Sequence, residues 1–190
     1  MTAVLRPALL LFATLTVVTG MVYPLLVTGL VQLLFPHQAN GSIVTANGRP
    51  VGSALIGQAF SSPQDFWSRP SASAPLPYNA AASSGSNLGP LNPALTDAVK
   101  ARIEALMAAD PENEQLVPID LVTASASGLD PDISLAAAYY QAPRVAQSRD
   151  LSLERVKTLI EQHAQRPWLG FFGEPRVNVL ALNRALDQSP

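Results

Sequence analysis

With 190 residues, of which 48% are hydrophobic and 14% charged, the chain is long enough for one apolar membrane segment and one domain of ordinary size. Its formal net charge is -2 and it contains no cluster of basic residues that could follow a phosphate backbone, which makes nucleic acid a poor candidate partner. It has no cysteine, which excludes a disulfide framework, thiolate metal sites and a cysteine nucleophile.

The first predicted element is a membrane-spanning helix. No residue from Pro7 to Gly48 carries a full charge, and nearly every side chain from Ala8 to Phe35 is apolar or a small hydroxyl. This run exceeds the roughly 20 residues that a helix needs to cross the hydrocarbon core. It is also longer than the apolar stretch of a cleaved signal peptide, which has about 7 to 15 residues. We therefore expect a retained anchor over residues 1–36 and a soluble domain over residues 37–190.

The orientation of the span is predicted from its flanking charges. Arg6 and the terminal amine precede the span, and Arg49 is the one cation within reach after it. Lys and Arg next to a span tend to stay on the cytoplasmic side. We therefore expect a single-pass protein with a cytoplasmic N-terminus and an external C-terminal domain.

Within the span, small or polar residues recur at every fourth position and form a stripe. The stripe consists of Thr16, Gly20, Pro24, Thr28 and Gln32. Residues four apart lie on nearly the same side of a helix, and small side chains let a second helix approach closely, so we predict that the stripe faces a partner helix. The alternative is that its hydroxyls bond only to their own backbone one turn back. Pro24 is expected to bend the helix near its middle because it lacks an amide hydrogen.

After the span we expect a helix-rich α+β domain with a small β-hairpin or sheet. Asn47-Gly48 supplies the positive φ angles of a tight hairpin turn between residues 42–46 and 51–56. The Ser-, Pro- and Gly-rich residues 61–93 predict a long irregular segment that binds a partner or packs on the domain. Residues 116–123 predict a short extended segment. Capping residues and helical spacing predict four helices: 93–109 after Asn92, a helix from Asp130 interrupted at Pro143, a helix after Ser152, and 177–186.

The sequence offers no recognisable catalytic set. Nucleophilic catalysis needs a convergent nucleophile, base and acid, and the two histidines, His37 and His163, fit ordinary surface positions. The spacing of Asp120, Asp130 and Asp132 matches no calcium loop, and Asp130 is better explained as a helix cap. We therefore predict no catalytic residue, no metal site and no directly bound cofactor.

Two stretches of small residues look superficially like anion-binding loops. Residues 85–90 contain two glycines but no lysine after the last one, so a turn leading to the Asn92 cap is favoured. Residues 124–128 precede the helix predicted from Asp130, where free amides could accept an anion. They could equally serve to pack the loop closely.

Taken together in chain order, short stretches of the sequence resemble those of one family. The matching stretches are Leu5-Arg6-Pro7, Tyr23–Leu26, Phe35-Pro36, Gln38–Ser42, Gly52–Gln58, Arg69–Ala72, Pro77-Tyr78-Asn79, Gly85–Leu88, Asp120–Pro131, Pro143–Ala146 and Pro175–Val179. They resemble the C subunit of the Kdp-type potassium-transporting ATPase, a bacterial P-type pump. Asp132 and Leu135 depart from that pattern, since the family often has His and Pro there.

The resemblance implies a single-span accessory subunit in the bacterial inner membrane, whose external domain would be periplasmic. Such a subunit joins a channel-like potassium-translocating subunit and a P-type ATP-hydrolysing subunit, so that the complex handles ATP and potassium. The family is also described as a catalytic chaperone that raises the ATP affinity of the hydrolytic subunit, and the position proposed to touch nucleotide is Gln141 here. An external domain cannot meet cytoplasmic ATP, so we expect any such effect to pass through the span as a coupling between states.

Two other functional classes are open at the level of the sequence. An anchored envelope hydrolase would show activity on model esters or peptides. A nucleotide-binding regulator would show heat of binding when titrated with ATP.

Overall fold

The computed structural model describes residues 2–188 and divides the chain into two units that meet between Ile43 and Val44. The first unit is helical, and the second combines helices with short antiparallel strands. The predicted α+β class is therefore confirmed.

The first unit contains a long apolar helix. It consists of α1 (Thr2–Val17), a π-helical turn (Val18–Val22) and α2 (Tyr23–Leu34). A separate short helix, α3 (Pro36–Ala39), follows it. The stretch Val4–Leu34 has 31 residues and a mean hydropathy of 2.0, and none of its most apolar window is buried inside the protein. By length and composition this helix could cross a membrane.

A β-hairpin begins where the second unit of the chain begins. Strand β1 (Ile43–Ala46) pairs with β2 (Arg49–Ser53). Asn47 and Gly48 have φ angles of 50° and 75°, the two positive values that a type I′ turn requires. The predicted hairpin is confirmed, although its second strand begins two residues earlier than predicted.

Four longer helices dominate the second unit. Asn92 caps the first through its side chain, which accepts a hydrogen bond from the Ala94 amide, and Ser152 caps the third in the same way. Both caps were predicted. The helices are α4 (Pro93–Ala109), α5 (Leu135–Ser148), α6 (Leu153–His163) and α7 (Val179–Asp187).

A three-stranded sheet explains where two helix predictions were wrong. Strand β5 (Arg176–Asn178) lies between β3 (Asp132–Ser134) and β4 (Ala164–Gln165), antiparallel to both. The predicted helix from Asp130 therefore begins only at Leu135, capped by Ser134, and continues through Pro143 to Ser148. The helix begins later in the chain than predicted because the preceding residues pair as a strand. For the same reason α7 begins at Val179 and not at Val177.

The irregular segment contributes to the hydrophobic core. Phe66 is fully buried and Trp67 is 8% exposed, and both join a core built mainly from α5, α6 and α7. Of the two predicted roles for residues 61–93, packing on the domain is therefore realised at this point. The predicted extended segment at 116–123 instead contains a 3₁₀ turn, Ile119–Leu121.

Candidate functional site

The predicted stripe on the apolar helix spans the π-helical turn. The amide of Tyr23 donates to the carbonyl of Val18, five residues back. Pro24 cannot donate to Gly20, and its ring would collide with that carbonyl in a regular α-helix. The wider turn makes room for the proline, so the structure places the irregularity where Pro24 predicts one.

The π-helical turn also changes how the stripe runs. In a regular α-helix, side chains four apart drift by about 40°, so the five stripe positions would spread over about 160°. A π-helical residue advances the helix by a smaller angle, so the drift is reduced over Val18–Val22 and the five positions spread less than in a regular α-helix. The stripe therefore lies closer to one face than the residue spacing alone suggests.

The side chains of this face are available for contact. Thr16, Gly20, Pro24, Thr28 and Gln32 are all exposed. Apart from the neighbouring backbone of the helix itself, a Cβ atom built on Gly20 would meet no atom of the described residues within 4 Å. The Thr16 hydroxyl donates to the Phe12 carbonyl at 2.8 Å, as the alternative interpretation predicted, but the same oxygen keeps its acceptor capacity.

In the second unit, Gln141 of α5 is buried and hydrogen-bonded on all sides. It is 1% exposed. Its Oε1 accepts from the Trp67 amide at 2.8 Å and from Arg144 Nη2 at 2.9 Å, while its Nε2 donates to the carbonyls of Trp67 at 3.1 Å and Ala137 at 3.3 Å. Two acceptor and two donor positions are the full capacity of a carboxamide. A nucleotide could contact this group only after one of these hydrogen bonds had opened.

Asn183 of α7 binds both backbone groups of Phe66, just as Gln141 binds those of Trp67. Its Oδ1 accepts from the Phe66 amide at 2.8 Å and its Nδ2 donates to the Phe66 carbonyl at 3.0 Å. Two amide side chains therefore take the place of a neighbouring strand for residues 66 and 67. This matters because buried backbone groups need partners.

Two arginines pack against the Trp67 ring. The guanidinium carbon of Arg102 lies 5.2 Å from the ring centroid and that of Arg144 lies 4.9 Å from it. Arg144 also donates to the carbonyls of Pro63 and Asp65, and Arg102 donates to those of Ser68 and Leu121. We call this group of Trp67, Arg102, Gln141 and Arg144 the Trp67 centre.

Burial changes the acidity of both guanidinium groups. It lowers the pKa of Arg144 to about 10, and it lowers the pKa of Arg102 as well. Removing a cation from water disfavours its charged form. Both groups remain protonated at neutral pH, held by backbone carbonyls and by cation–π contact with Trp67. The Trp67 centre therefore binds the irregular segment to two helices, α4 and α5.

The three aspartates considered for metal binding have separate partners. Asp120 accepts from the amide and hydroxyl of Ser134, Asp130 pairs with Arg69 at 2.9 Å, and Asp132 pairs with Arg176 at 2.9 Å. Among residues 2–188, no group of three His, Cys, Asp or Glu side chains is arranged to hold a metal ion.

The two stretches of small residues pack against each other. The Ser84 amide donates to the Ser127 carbonyl at 3.0 Å, and a Cβ atom on Gly85 would lie 2.9 Å from the Ala126 carbonyl oxygen. Close packing, one of the interpretations left open for residues 124–128, therefore describes this contact.

Sequence reasoning missed most of the Trp67 centre. Gln141 was identified through the family resemblance alone, and Arg102, Arg144 and Asn183 were not singled out. A signal was present, because Phe66 and Trp67 are bulky apolar residues within an otherwise polar irregular segment. Buried polar groups on the facing helices are what such an anchor requires.

Comparison with known proteins gives consistent matches over nearly the whole chain. The family model for KdpC, described as "K+-transporting ATPase, c chain", matches residues 5–188. The chain is 63% identical to the potassium-transporting ATPase KdpC subunit of Janthinobacterium sp. (strain Marseille), covering 99% of this chain and 100% of that protein. It is 65% identical to the protein of the same name from Herminiimonas arsenicoxydans, covering 99% of each. With the one from Variovorax paradoxus (strain S110) it shares 66% identity, covering 100% of this chain and 98% of the relative.

Proposed function

The chain belongs to the family of K+-transporting ATPase c chains, and from that membership we propose how it serves a potassium-transporting ATPase complex. Within such a complex it is an accessory subunit and not the catalytic one. The observation that carries the proposal is the match over residues 5–188, which includes both the apolar helix and the second unit. The envelope-hydrolase and nucleotide-regulator alternatives are not favoured by it.

We propose that residues 1–36 anchor the subunit in the bacterial inner membrane and contact partner helices there. The stripe supports this proposal, because its five positions are exposed and the π-helical turn between them reduces their drift around the helix. Close helix contact in lipid depends on small residues and polar groups of this kind. The partners we propose are the channel-like potassium-translocating subunit and the P-type ATP-hydrolysing subunit.

We further propose that residues 37–190 form a periplasmic domain over the potassium entrance of the complex. All 14 acidic residues lie in this part of the chain, against 11 basic ones, which are all the Lys and Arg except Arg6. A mildly acidic surface repels no cation and enriches potassium weakly. Its main contribution is to cap and stabilise the neighbouring subunit.

An effect on ATP affinity, if the subunit exerts one, is proposed to be indirect. The hydrogen-bonding groups of Gln141 are fully used within the Trp67 centre. A periplasmic domain has no access to cytoplasmic ATP, so the coupling must pass through the span as a preference for one state of the pump.

Potassium uptake at limiting potassium tests this function. Cells that lack this subunit should regain high-affinity uptake with the full chain, and a version restricted to the span should restore it poorly. Uptake that is equally high with the span alone would contradict a role for the domain. Uptake that is unaffected by deleting the whole chain would contradict the function itself.

A further inference from the structure

Four large apolar side chains stand together on one exposed turn of the second unit. The aromatic turn, as we call residues 168–172, carries Trp168, Leu169, Phe171 and Phe172, whose exposed fractions are 71%, 66%, 68% and 54%. The rings of Phe171 and Phe172 lie 4.2 Å apart between centroids, and those of Trp168 and Phe172 lie 5.7 Å apart. Isolated exposed apolar residues are common, but a contiguous group of this kind marks a surface that meets something apolar.

The backbone of the aromatic turn satisfies much of its own hydrogen bonding. The amides of Trp168 and Phe172 each donate to the other residue's carbonyl at 2.9 Å, and the Gly170 amide donates to the Pro167 carbonyl at 3.1 Å. Unpaired backbone groups are what makes irregular chain costly in a less polar medium. This turn can therefore leave bulk water at low cost.

The base of the aromatic turn lies at the end of the second unit where the chain leaves the anchor. Val44, the first residue of that unit, lines the same cleft of about 490 Å³ as His163 and Gln165, which lead into the turn. Residues 35–43 join the end of the apolar helix to Val44. A chain anchored in a bilayer therefore keeps this end of the unit within about 35 Å of the lipid, the reach of an extended linker of that length.

We propose that the aromatic turn inserts into the headgroup region of the bilayer. Trp and Phe are favoured at that depth, where a ring meets acyl carbons on one side and water on the other. Arg166 and Arg176 flank the turn in the sequence, and both side chains are exposed and paired with a carboxylate, Glu161 or Asp132. The proposal rests on the anchoring proposed above and goes beyond it, because it gives the soluble domain a lipid contact of its own.

Tryptophan quenching tests the lipid contact in the full chain. The chain has two tryptophans, Trp67 in the core and Trp168 on the aromatic turn, and neither belongs to the apolar helix. The full chain is reconstituted into phosphatidylethanolamine and phosphatidylglycerol vesicles that contain lipid brominated near the headgroup or near the chain end. We expect headgroup-proximal bromine to quench about half of the Trp168 emission and chain-end bromine to quench less.

Two variants separate the aromatic turn from the core. Trp168→Phe leaves Trp67 as the reporter and should abolish the quenching. Phe171→Ser combined with Phe172→Ser should reduce the quenching of Trp168. Adding Trp168→Phe to this double variant leaves Trp67 as the reporter, and unchanged Trp67 emission then shows that the fold is intact. Quenching that survives Trp168→Phe, or that is insensitive to the double variant, would overturn the proposal.

Flotation of the vesicles distinguishes failure of this proposal from failure of the anchor. A chain that floats with the vesicles but shows no quenching of Trp168 overturns the lipid contact and leaves the anchor standing, and a chain that leaves the vesicles overturns both. The same measurement on the assembled complex should again show quenching. If it is seen in the lone chain and lost in the complex, the aromatic turn is a protein contact and the proposal is wrong.

Discussion

At the scale of single residues, the second unit depends on side-chain amides that replace backbone partners. Gln141 and Asn183 bind both backbone groups of Trp67 and Phe66, respectively. These two core residues belong to a segment that has no strand to pair with. Removing a buried side-chain amide therefore lowers the free energy of unfolding by more than its own hydrogen bonds contribute. The backbone groups it paired with are then left without a hydrogen-bond partner in protein or water.

Gln141→Ala is expected to lower the free energy of unfolding by about 2 to 4 kcal/mol, since it leaves the Trp67 amide and carbonyl unpaired in the core. Denaturant unfolding of the detergent-solubilised full chain, followed by near-UV circular dichroism, measures this. The matched control is Gln147→Ala on the same helix, whose side chain is exposed and whose loss should cost about 0.5 kcal/mol or less. Equal stability of the two variants would contradict the structural role of Gln141.

Asp132 is expected to make the stability depend on pH. Burial is the largest cause that raises the pKa of its carboxyl above the ordinary 3.8, although its ion pair with Arg176 acts the other way. The folded protein therefore binds this proton at a higher pH than the unfolded chain does. The contribution of this group to the free energy of unfolding is fully present below pH 3.8, the ordinary pKa of the carboxyl. It is lost as the pH rises through the raised pKa of the folded state.

Comparison with Asp132→Asn isolates this contribution. The difference in unfolding free energy between wild type and variant should shift in favour of wild type as the pH is lowered from about 7 to about 4. A difference that stays constant, or that shifts toward the variant, would show that the Asp132 carboxyl is not disfavoured by burial.

At the scale of elements, the apolar helix presents two glycines with the same local freedom and different expected roles. Apart from the neighbouring backbone of the helix itself, a Cβ atom on Gly20 or on Gly29 meets no atom of the described residues within 4 Å. Gly20 belongs to the stripe, whereas Gly29 lies beside it, about 100° around the helix from Thr28 and about 60° from Gln32. A large side chain at either position should leave the isolated helix unchanged.

Gly20→Leu is therefore expected to weaken assembly more than Gly29→Leu does. Bulk on the contact face keeps partner helices apart, and a loss of about 1.4 kcal/mol corresponds to a tenfold weaker association. Recovery of partner subunits with each variant from detergent-solubilised membranes gives the comparison. If both variants recover partners equally, or Gly29→Leu alone fails, the stripe is not the contact face.

Elements with local signals were predictable from the sequence. Asn92 followed by Pro93 defines the start of α4, and Asn47-Gly48 defines the hairpin turn, because a cap or a turn depends on neighbours in the chain. The start of α5 was wrong because strand β3 takes Asp132–Ser134 for pairing with β5, more than 40 residues away. A helix cap at Asp130 and a strand at Asp132 compete, and only the partner strand decides between them.

The candidate sites, too, were predictable only where the signal is local in the sequence. The stripe follows from a spacing of four residues, but the alignment of its face depends on the π-helical turn. The Trp67 centre joins α4, α5 and the irregular segment. Such contacts between distant segments have no periodicity in the sequence, so only Gln141 was identified, through the family resemblance.

At the scale of the whole molecule, the proposed orientation gives the two parts of the chain different surroundings. In that proposal, residues 1–36 make contacts inside the bilayer, and residues 37–190 make contacts outside the cytoplasm. One short chain would then stabilise neighbouring subunits both within the membrane and outside it. Transmission of any effect between them relies on the span.

The orientation can be measured directly because the natural chain has no cysteine. Ser148→Cys at the exposed end of α5 should react with a membrane-impermeant maleimide in cells with a permeabilised outer membrane. Thr2→Cys should react only after the inner membrane is broken, because a flanking positive charge keeps that end inside. The reverse labelling pattern would invert the topology and remove the domain from the potassium entrance.

The proposed function requires that the subunit works as a membrane-held member of a complex, and affinity purification of the full chain from its native membrane measures this. In mild detergent, we expect a potassium-translocating subunit and an ATP-hydrolysing subunit to co-elute with it. Recovery of the chain alone, or as a freely soluble polypeptide trimmed near Ala46, would contradict it.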